Sequence, residues 1–325
     1  MISRRRVLAA LACAWPFALG AQQPDKLRRI GFFGTGSAAA VEKALAAFRA
    51  KMRELGYAEG GNLVVEYRWG EGKAEALPGL VAELLRAKVE LIAVWGTPAS
   101  LAVKRATLTL PIVMMSVGDP VETGLVASLA RPGGNVTGMS NLGGAVAAKQ
   151  MELLSQVVPG VAHVGVLRNP DNASLVPQLK GAESAARALK VELQVQTARS
   201  TAELDAAFAA MTAARAGAVL VLADPLYLTE RRRIAELAIK HRLPSVTARD
   251  AMAEAGILMS YGASNAEDFR GGAVYVDKIL RGAKPADLPV QQASTFDLIV
   301  NLKTAKALGI TIPQPVLGRA DRVIE

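Results

Sequence analysis

Beyond residue 28, short β-rich apolar runs alternate with longer stretches in which apolar residues return every three or four positions. The runs predict strands at RIGFF (29–33), LVVEYR (63–68), ELIAVW (90–95) and PIVMMS (111–116). A second series follows at HVGVL (163–167), VELQVQT (191–197), AVLVLA (218–223) and PSVTA (244–248). Helical patterns fill the gaps. A strand–helix–strand alternation of this kind places the strands in parallel sheets with helices on both faces.

The two series superpose. Gly31 in the first strand and Gly165 in the fifth are 134 positions apart. The following helix carries Val41, Leu45, Phe48, Met52 and Leu55, and the same offset lands on Leu175, Leu179, Ala182, Ala186 and Leu189. Both sets form one stripe along a helix. VWGTP (94–98) matches VLADP (221–225), each a strand ending in a turn before proline, and LPIV (110–113) matches LPSV (243–246). The fold class expected is α/β, with two similar Rossmann-like lobes in tandem. Segments joining the lobes are read at VTGMS (136–140), at ILMSYG (257–262) and within 289–301. They are β-like rather than Gly/Ser-rich, which predicts a defined hinge. The boundaries expected are 28–138 plus about 262–292 for lobe I and 139–261 plus about 293–325 for lobe II. Open α/β sheets bind ligands beyond the carboxyl ends of their strands, so a cleft between the lobes is the expected site.

Composition narrows the chemistry. One cysteine among 325 residues excludes a disulfide framework and a thiolate metal site, and two histidines, His163 and His241, offer little for metal or acid–base work. The first residues, MISRRRVLAALACAWPFALGAQQ, have a cationic start, an apolar run and small residues at Gly20 and Ala21. That is the pattern of an export signal over 1–21, and SRRRVL resembles a twin-arginine motif. Cys13 reads as filler in the leader, because Ala10 stands where a lipobox needs a bulky aliphatic, so no lipid anchor is expected. Without the three leader arginines the formal charge falls from +9 to +6, with no basic block to suggest nucleic acid.

Seven loop residues are the candidate ligand contacts. GTGSAA (34–39) offers Thr35 and Ser37; its missing third glycine and the lack of an acid at the second strand's end speak against a dinucleotide. In WGTPAS (95–100), Thr97 suits a helix N-cap and Pro98 the first turn, where exposed N–H groups attract a carboxylate. Trp95 is read as core or pocket wall. Asp119 in VGDPVETGL, Asn169 in RNPDN and Asp224 in ADP stand after strands of the two lobes, and Tyr261 lies near a hinge strand. Each also has a plain reading as a turn or cap. No catalytic triad, paired-carboxylate motif or metal spacing accompanies them, so no cofactor and no enzymatic activity are expected.

RIGFFGTGS, ELGYAEGGNLVVEYRWGEG, WGTPAS, PIVMMSVGDPVETGLVASLARPGGNVTGMS, DPLYLTERRRIAELAIKHRLPSV, GILMSYG and FDLIVNLKTAKALGITIP together resemble the tryptophan/tyrosine-type substrate-binding component of bacterial ABC transporters. The resemblance runs from about Arg28 to the C-terminus. It implies a type I periplasmic-binding architecture with three hinge crossings, a periplasmic location, and no catalysis. It also implies an amino-acid ligand, from a family whose ligands include aromatic amino acids, delivered by a monomer to a membrane ABC permease. On this resemblance the hydroxyls and helix ends would hold a carboxylate, the acids an ammonium, and Tyr261 or Trp95 the side chain. Alternatives are a periplasmic sensor feeding a membrane receptor and a dinucleotide-binding enzyme. A sugar-type repressor would need a helix-turn-helix where the leader stands.

Overall fold

The computed structural model describes residues 27–325. The expected leader, with Cys13, lies outside the described residues.

The first half of the chain lays down β1 (Arg28–Gly34), α1 (Glu42–Glu54), β2 (Leu63–Trp69), α2 (Leu77–Arg86), β3 (Ile92–Trp95), α3 (Thr97–Ala106), β4 (Ile112–Gly118) and β5 (Val136–Asn141). It then passes through α4 (Gly143–Val157) into β6 (His163–Arg168), α5 (Leu175–Leu189), β7 (Glu192–Thr197), α6 (Thr201–Ala213) and β8 (Ala218–Val221). The short α7 (Pro225–Thr229), α8 (Arg231–Lys240), β9 (Ser245–Thr247), α9 (Asp250–Ala255) and β10 (Met259–Ala263) complete that lobe's strand–helix series. The chain ends with α10 (Asn265–Leu280), β11 (Gln291–Gln292), β12 (Phe296–Asn301), α11 (Leu302–Leu308), α12 (Gln314–Leu317) and β13 (Arg322–Ile324). All eight strands expected from the apolar runs are present.

Two sheets result. One has the order β11-β5-β4-β3-β1-β2 and the other β13-β12-β10-β9-β8-β6-β7. Read from their second strands, both run 2-1-3-4-5, which is the duplication seen in the sequence. Every strand pair is parallel except β10 with β12, which run antiparallel with Tyr261 opposite Leu298. The chain leaves the first sheet after Asn141, returns after Ala263, and leaves again between Gln292 and Phe296. Helix α10 packs on α1, β4 and β5, so it belongs to the first lobe although it follows the second. The crossing strands sit tight against their neighbours. A Cβ on Gly138 of β5 would collide with the Met114 carbonyl, and one on Gly262 of β10 with that of Ala248.

The helix stripe read from the sequence is the buried face of α1: Leu45, Phe48 and Met52 are in the core, with Phe48 edge-on to Phe32 at 5.4 Å between ring centres. Burying a side chain of this kind stabilises by roughly 1.5–3 kcal/mol. One core cluster runs through both lobes, containing Trp95 of the first and Leu226, Tyr227 and Leu228 of the second.

Contacts of this kind join the two lobes. The Ser37 N–H donates to Thr229 Oγ1 at 3.3 Å, and Lys43 of α1 pairs with Glu254 of α9 at 2.6 Å. A Cβ on Gly36 would stand 3.0 Å from the Pro225 carbonyl oxygen, and one on Gly118 would stand 2.9 Å from Ser174 Cβ.

Candidate functional site

Between the lobes, the carboxyl ends of strands from both sheets surround a polar compartment of about 350 Å³, counted out to its mouth. Lobe I contributes Trp95, Gly96 and Thr97 after β3, Ser116 and Gly118 on β4, and Asn141 at the end of β5. Lobe II contributes Asn172 and Ser174 after β6, Gln178 of α5, Asp224 and Pro225 after β8, Leu228 of α7, and Arg249 after β9. A second compartment of about 250 Å³ shares Asn141, Gln178, Ala223 and Arg249 with it. Its other walls are mostly small and apolar: Gly143, Val146, Ala248 and Ala263.

The residues anticipated from sequence are placed differently from one another. Thr97 and Asp224 line the polar compartment. Thr97 is the first residue of α3, and the N-cap is Gly96, at φ +92°. The Thr35 hydroxyl accepts the Ala99 N–H at 3.1 Å, so this first-turn donor is already occupied. Asp224 caps α7 by accepting the Leu226 N–H at 2.9 Å, and it also accepts Asn172 Nδ2 at 2.8 Å and Asn169 Nδ2 at 3.3 Å. Asn169 therefore stands behind Asp224 and orients it. Burial raises the pKa of the Asp224 carboxyl, opposed by the hydrogen bonds from Asn172, Asn169 and the backbone. Asn172 Oδ1 in turn accepts the Ser174 hydroxyl and N–H, so a chain of polar side chains fixes this wall.

Thr35, Ser37, Asp119, Asn169 and Tyr261 do not line either compartment. Ser37 contributes only its backbone N–H to the lobe contact. Asp119 sits in a tight turn at φ +41°, its carbonyl accepting from Thr123, and its Oδ2 is buried without a partner against Gly143 at the start of α4. Burial, and next the charge of Glu122, raise its pKa to about 6. Tyr261 lies on β10 with its ring stacked on Phe296 at 6.1 Å.

The sequence reading missed Ser116, Asn141, Asn172, Ser174, Gln178 and Arg249. The last belongs to a second polar network. Asn141 Nδ2 donates to Ser116 Oγ at 3.3 Å, and the Ser116 hydroxyl bonds the carboxylate of Asp268, which is 2% exposed in the first turn of α10. Arg249 Nη1 donates to Asn265 Oδ1 at 2.7 Å, bridging lobe II to the start of α10. Asp268 Oδ2 has no partner, and burial raises the Asp268 pKa to about 6 against the pull of Ser116 and Arg249.

A polar chamber between two duplicated α/β lobes, walled by the strand ends of both, is the architecture of a two-lobed solute-binding protein. The chain belongs to the ABC transporter substrate binding protein family, which it matches over residues 36–324. It is a type I periplasmic-binding fold and a binding protein rather than an enzyme. A tyrosine-binding protein of Clostridioides difficile strain R20291 is 25% identical over 284 residues, 87% of this chain and 81% of that one. An ABC domain from Streptococcus pneumoniae, solved in complex with L-Trp, is 27% identical with a TM-score of 0.86, covering 91% of this chain and 99% of that one. A conserved domain protein of Vibrio cholerae O1 biovar El Tor is 28% identical with a TM-score of 0.87, covering 92% and 100%.

Proposed function

We propose that this protein is the extracytoplasmic receptor of an ABC importer and that its cargo is an aromatic amino acid. The observation that carries this reading is the pairing of a compartment between the lobes with a second one beside it, walled almost entirely by lobe II. One is polar and contains opposite charges, Asp224 and Arg249; its neighbour is small-walled and apolar. An amino acid with an apolar side chain has the matching halves. The tyrosine-binding relative and the L-Trp-bound structure support the aromatic choice.

In this reading the ligand ammonium lies toward Asp224, held in place by Asn169 and Asn172, while Thr97 closes on the ligand from lobe I. The side chain enters between Val146 and Ala263. Ligand favours closure because only the closed form lets both lobes touch it. The leader exports the chain to the periplasm, the protein works as a monomer, and the closed form docks on a membrane permease whose partner ATPase drives transport.

Calorimetric titration with L-tyrosine, L-tryptophan, glycine and L-glutamate tests the assignment. Saturable one-to-one binding of an aromatic amino acid, and weakening by at least about tenfold in Val146→Phe, is expected, since filling a pocket by 1–3 kcal/mol of overpacking has that effect. Tight binding of glycine or glutamate alone, or an unchanged aromatic affinity in Val146→Phe, contradicts it.

A further inference from the structure

Arg249 is the cation of the chamber wall, and it is held there at a cost. Burial lowers its pKa, with only the charges of Asp268 and Asp250 acting against that. Its hydrogen-bond partner is neutral, the Asn265 side-chain oxygen. Neither acid reaches it: Arg249 makes no salt bridge among the described residues. Two partly buried arginines of the first sheet are paired, Arg28 with Glu90 at 2.7 Å and Arg68 with Glu83 at 2.7 Å, whereas Arg168 at the end of β6 makes no salt bridge among the described residues and does not line either compartment. A desolvated charge without an opposite charge in contact is expensive, and a chain retains one where something else completes it.

Position says what completes it. Arg249 follows β9 and lines both compartments at their junction. Asp224 follows β8, the adjacent strand, and its oxygens are already occupied by Asn169, Asn172 and the Leu226 N–H. The Ala99 N–H in the first turn of α3, the helix end beside this chamber, is taken by Thr35. A guanidinium presents a planar fork that matches a carboxylate, and Asn265 fixes one of its nitrogens.

We infer that Arg249 is the anion anchor of this chamber and that the cargo must carry a carboxylate, bound by the guanidinium left unpaired between Asn265 and the junction of the two compartments. This rests on the amino-acid reading above and sharpens it. Both charged groups belong to lobe II, so the charged head of the ligand is captured there and lobe I closes over it. Uncharged cargoes such as sugars and nucleosides are disfavoured, because they would leave this half-buried cation without an anion in contact.

The test is calorimetry with L-tyrosine and L-tyrosinamide on the wild type, Arg249→Gln and Arg249→Lys, with melting temperatures of the ligand-free proteins. The wild type should prefer L-tyrosine to the amide by at least about 30-fold. Arg249→Gln should bind L-tyrosine about 100-fold more weakly and tell the two apart by less than about threefold, with Arg249→Lys in between; truncating one partner of a buried charge pair has effects of this size. Ligand-free Arg249→Gln should melt no lower than the wild type, which a merely structural arginine would not allow. Equal wild-type binding of acid and amide, or full L-tyrosine affinity in Arg249→Gln, overturns the inference. If neither compound binds the wild type, the aromatic assignment has failed and Arg249 is judged separately, from thermal shifts with the remaining amino acids and short-chain carboxylates against sugars and nucleosides. A carboxylate shift that disappears in Arg249→Gln then supports the anchor; a shift from uncharged compounds only, or none from any carboxylate, overturns it.

Discussion

Asp119 stands at the lobe contact without lining either compartment. Its buried, unpartnered oxygen faces Gly143 across the lobe contact, and its pKa is raised to about 6 from an ordinary 3.8. A raised carboxyl pKa means that the folded protein holds its proton more tightly than the unfolded chain. Stability therefore rises as pH falls from above 6 toward 4, and the ionised form opposes folding at neutral pH. Asp119→Asn should raise the melting temperature at pH 7.5, by ~1 kcal/mol of stability once solvent access to this half-buried group is allowed for, and should flatten the pH dependence between 4 and 6. Asparagine tolerates the positive φ, so a lower melting temperature would show that the carboxylate is not the source of strain. At this scale legibility was uneven. Thr97 and Asp224 could be found because proline marks their turns. Arg249 could not: it is one of 38 basic residues, and only the end of β9 gives it a chamber to face. Asp268 and Asn265 were hidden in a helix that follows lobe II in the chain but packs on lobe I.

At the scale of elements, the turns after β1 and β8 form the seam of the closed molecule. Gly36 lies where α7 arrives, with room for no side chain between it and Pro225. Its backbone is not in the left-handed region, so the requirement is for space alone. Gly36→Val should melt somewhat lower, because a Cβ there would stand 2.9 Å from the Trp95 ring of the same lobe, and should bind cargo at least about tenfold more weakly, since overpacking of 1–3 kcal/mol against Pro225 and Thr229 falls on the closed form. Calorimetry beside a melting curve checks this; undiminished affinity would mean that closure does not bring Gly36 and Pro225 together. The paired strand–turn–proline units made the duplicated sheets legible from sequence. The antiparallel β12 was not, because its partner β10 is over 30 residues earlier and no hairpin turn joins them. The apolar runs at 136–140 and 257–262 fall on β5 and β10, the last strands of each strand–helix series.

For the whole molecule, the similarity of the two halves gives the cleft, while their differences give it polarity. Lobe II supplies both charged walls, Asp224 and Arg249, and lobe I supplies Thr97, Ser116, Trp95 and Asn141 as a largely neutral cover. The duplication could be read before any coordinates, because apolar spacing encodes it directly. The assignment of charge to one lobe could not, because it depends on which loops turn inward once both sheets are wound. The crystal structure of the purified protein after incubation with saturating L-tyrosine or L-tryptophan puts the account to its most direct test. It should show the amino acid enclosed between the lobes, its carboxylate on Arg249, its ammonium toward Asp224 and its ring beside Val146. A ligand seated on the outer surface of one lobe, or enclosed with its carboxylate turned away from Arg249, would contradict it.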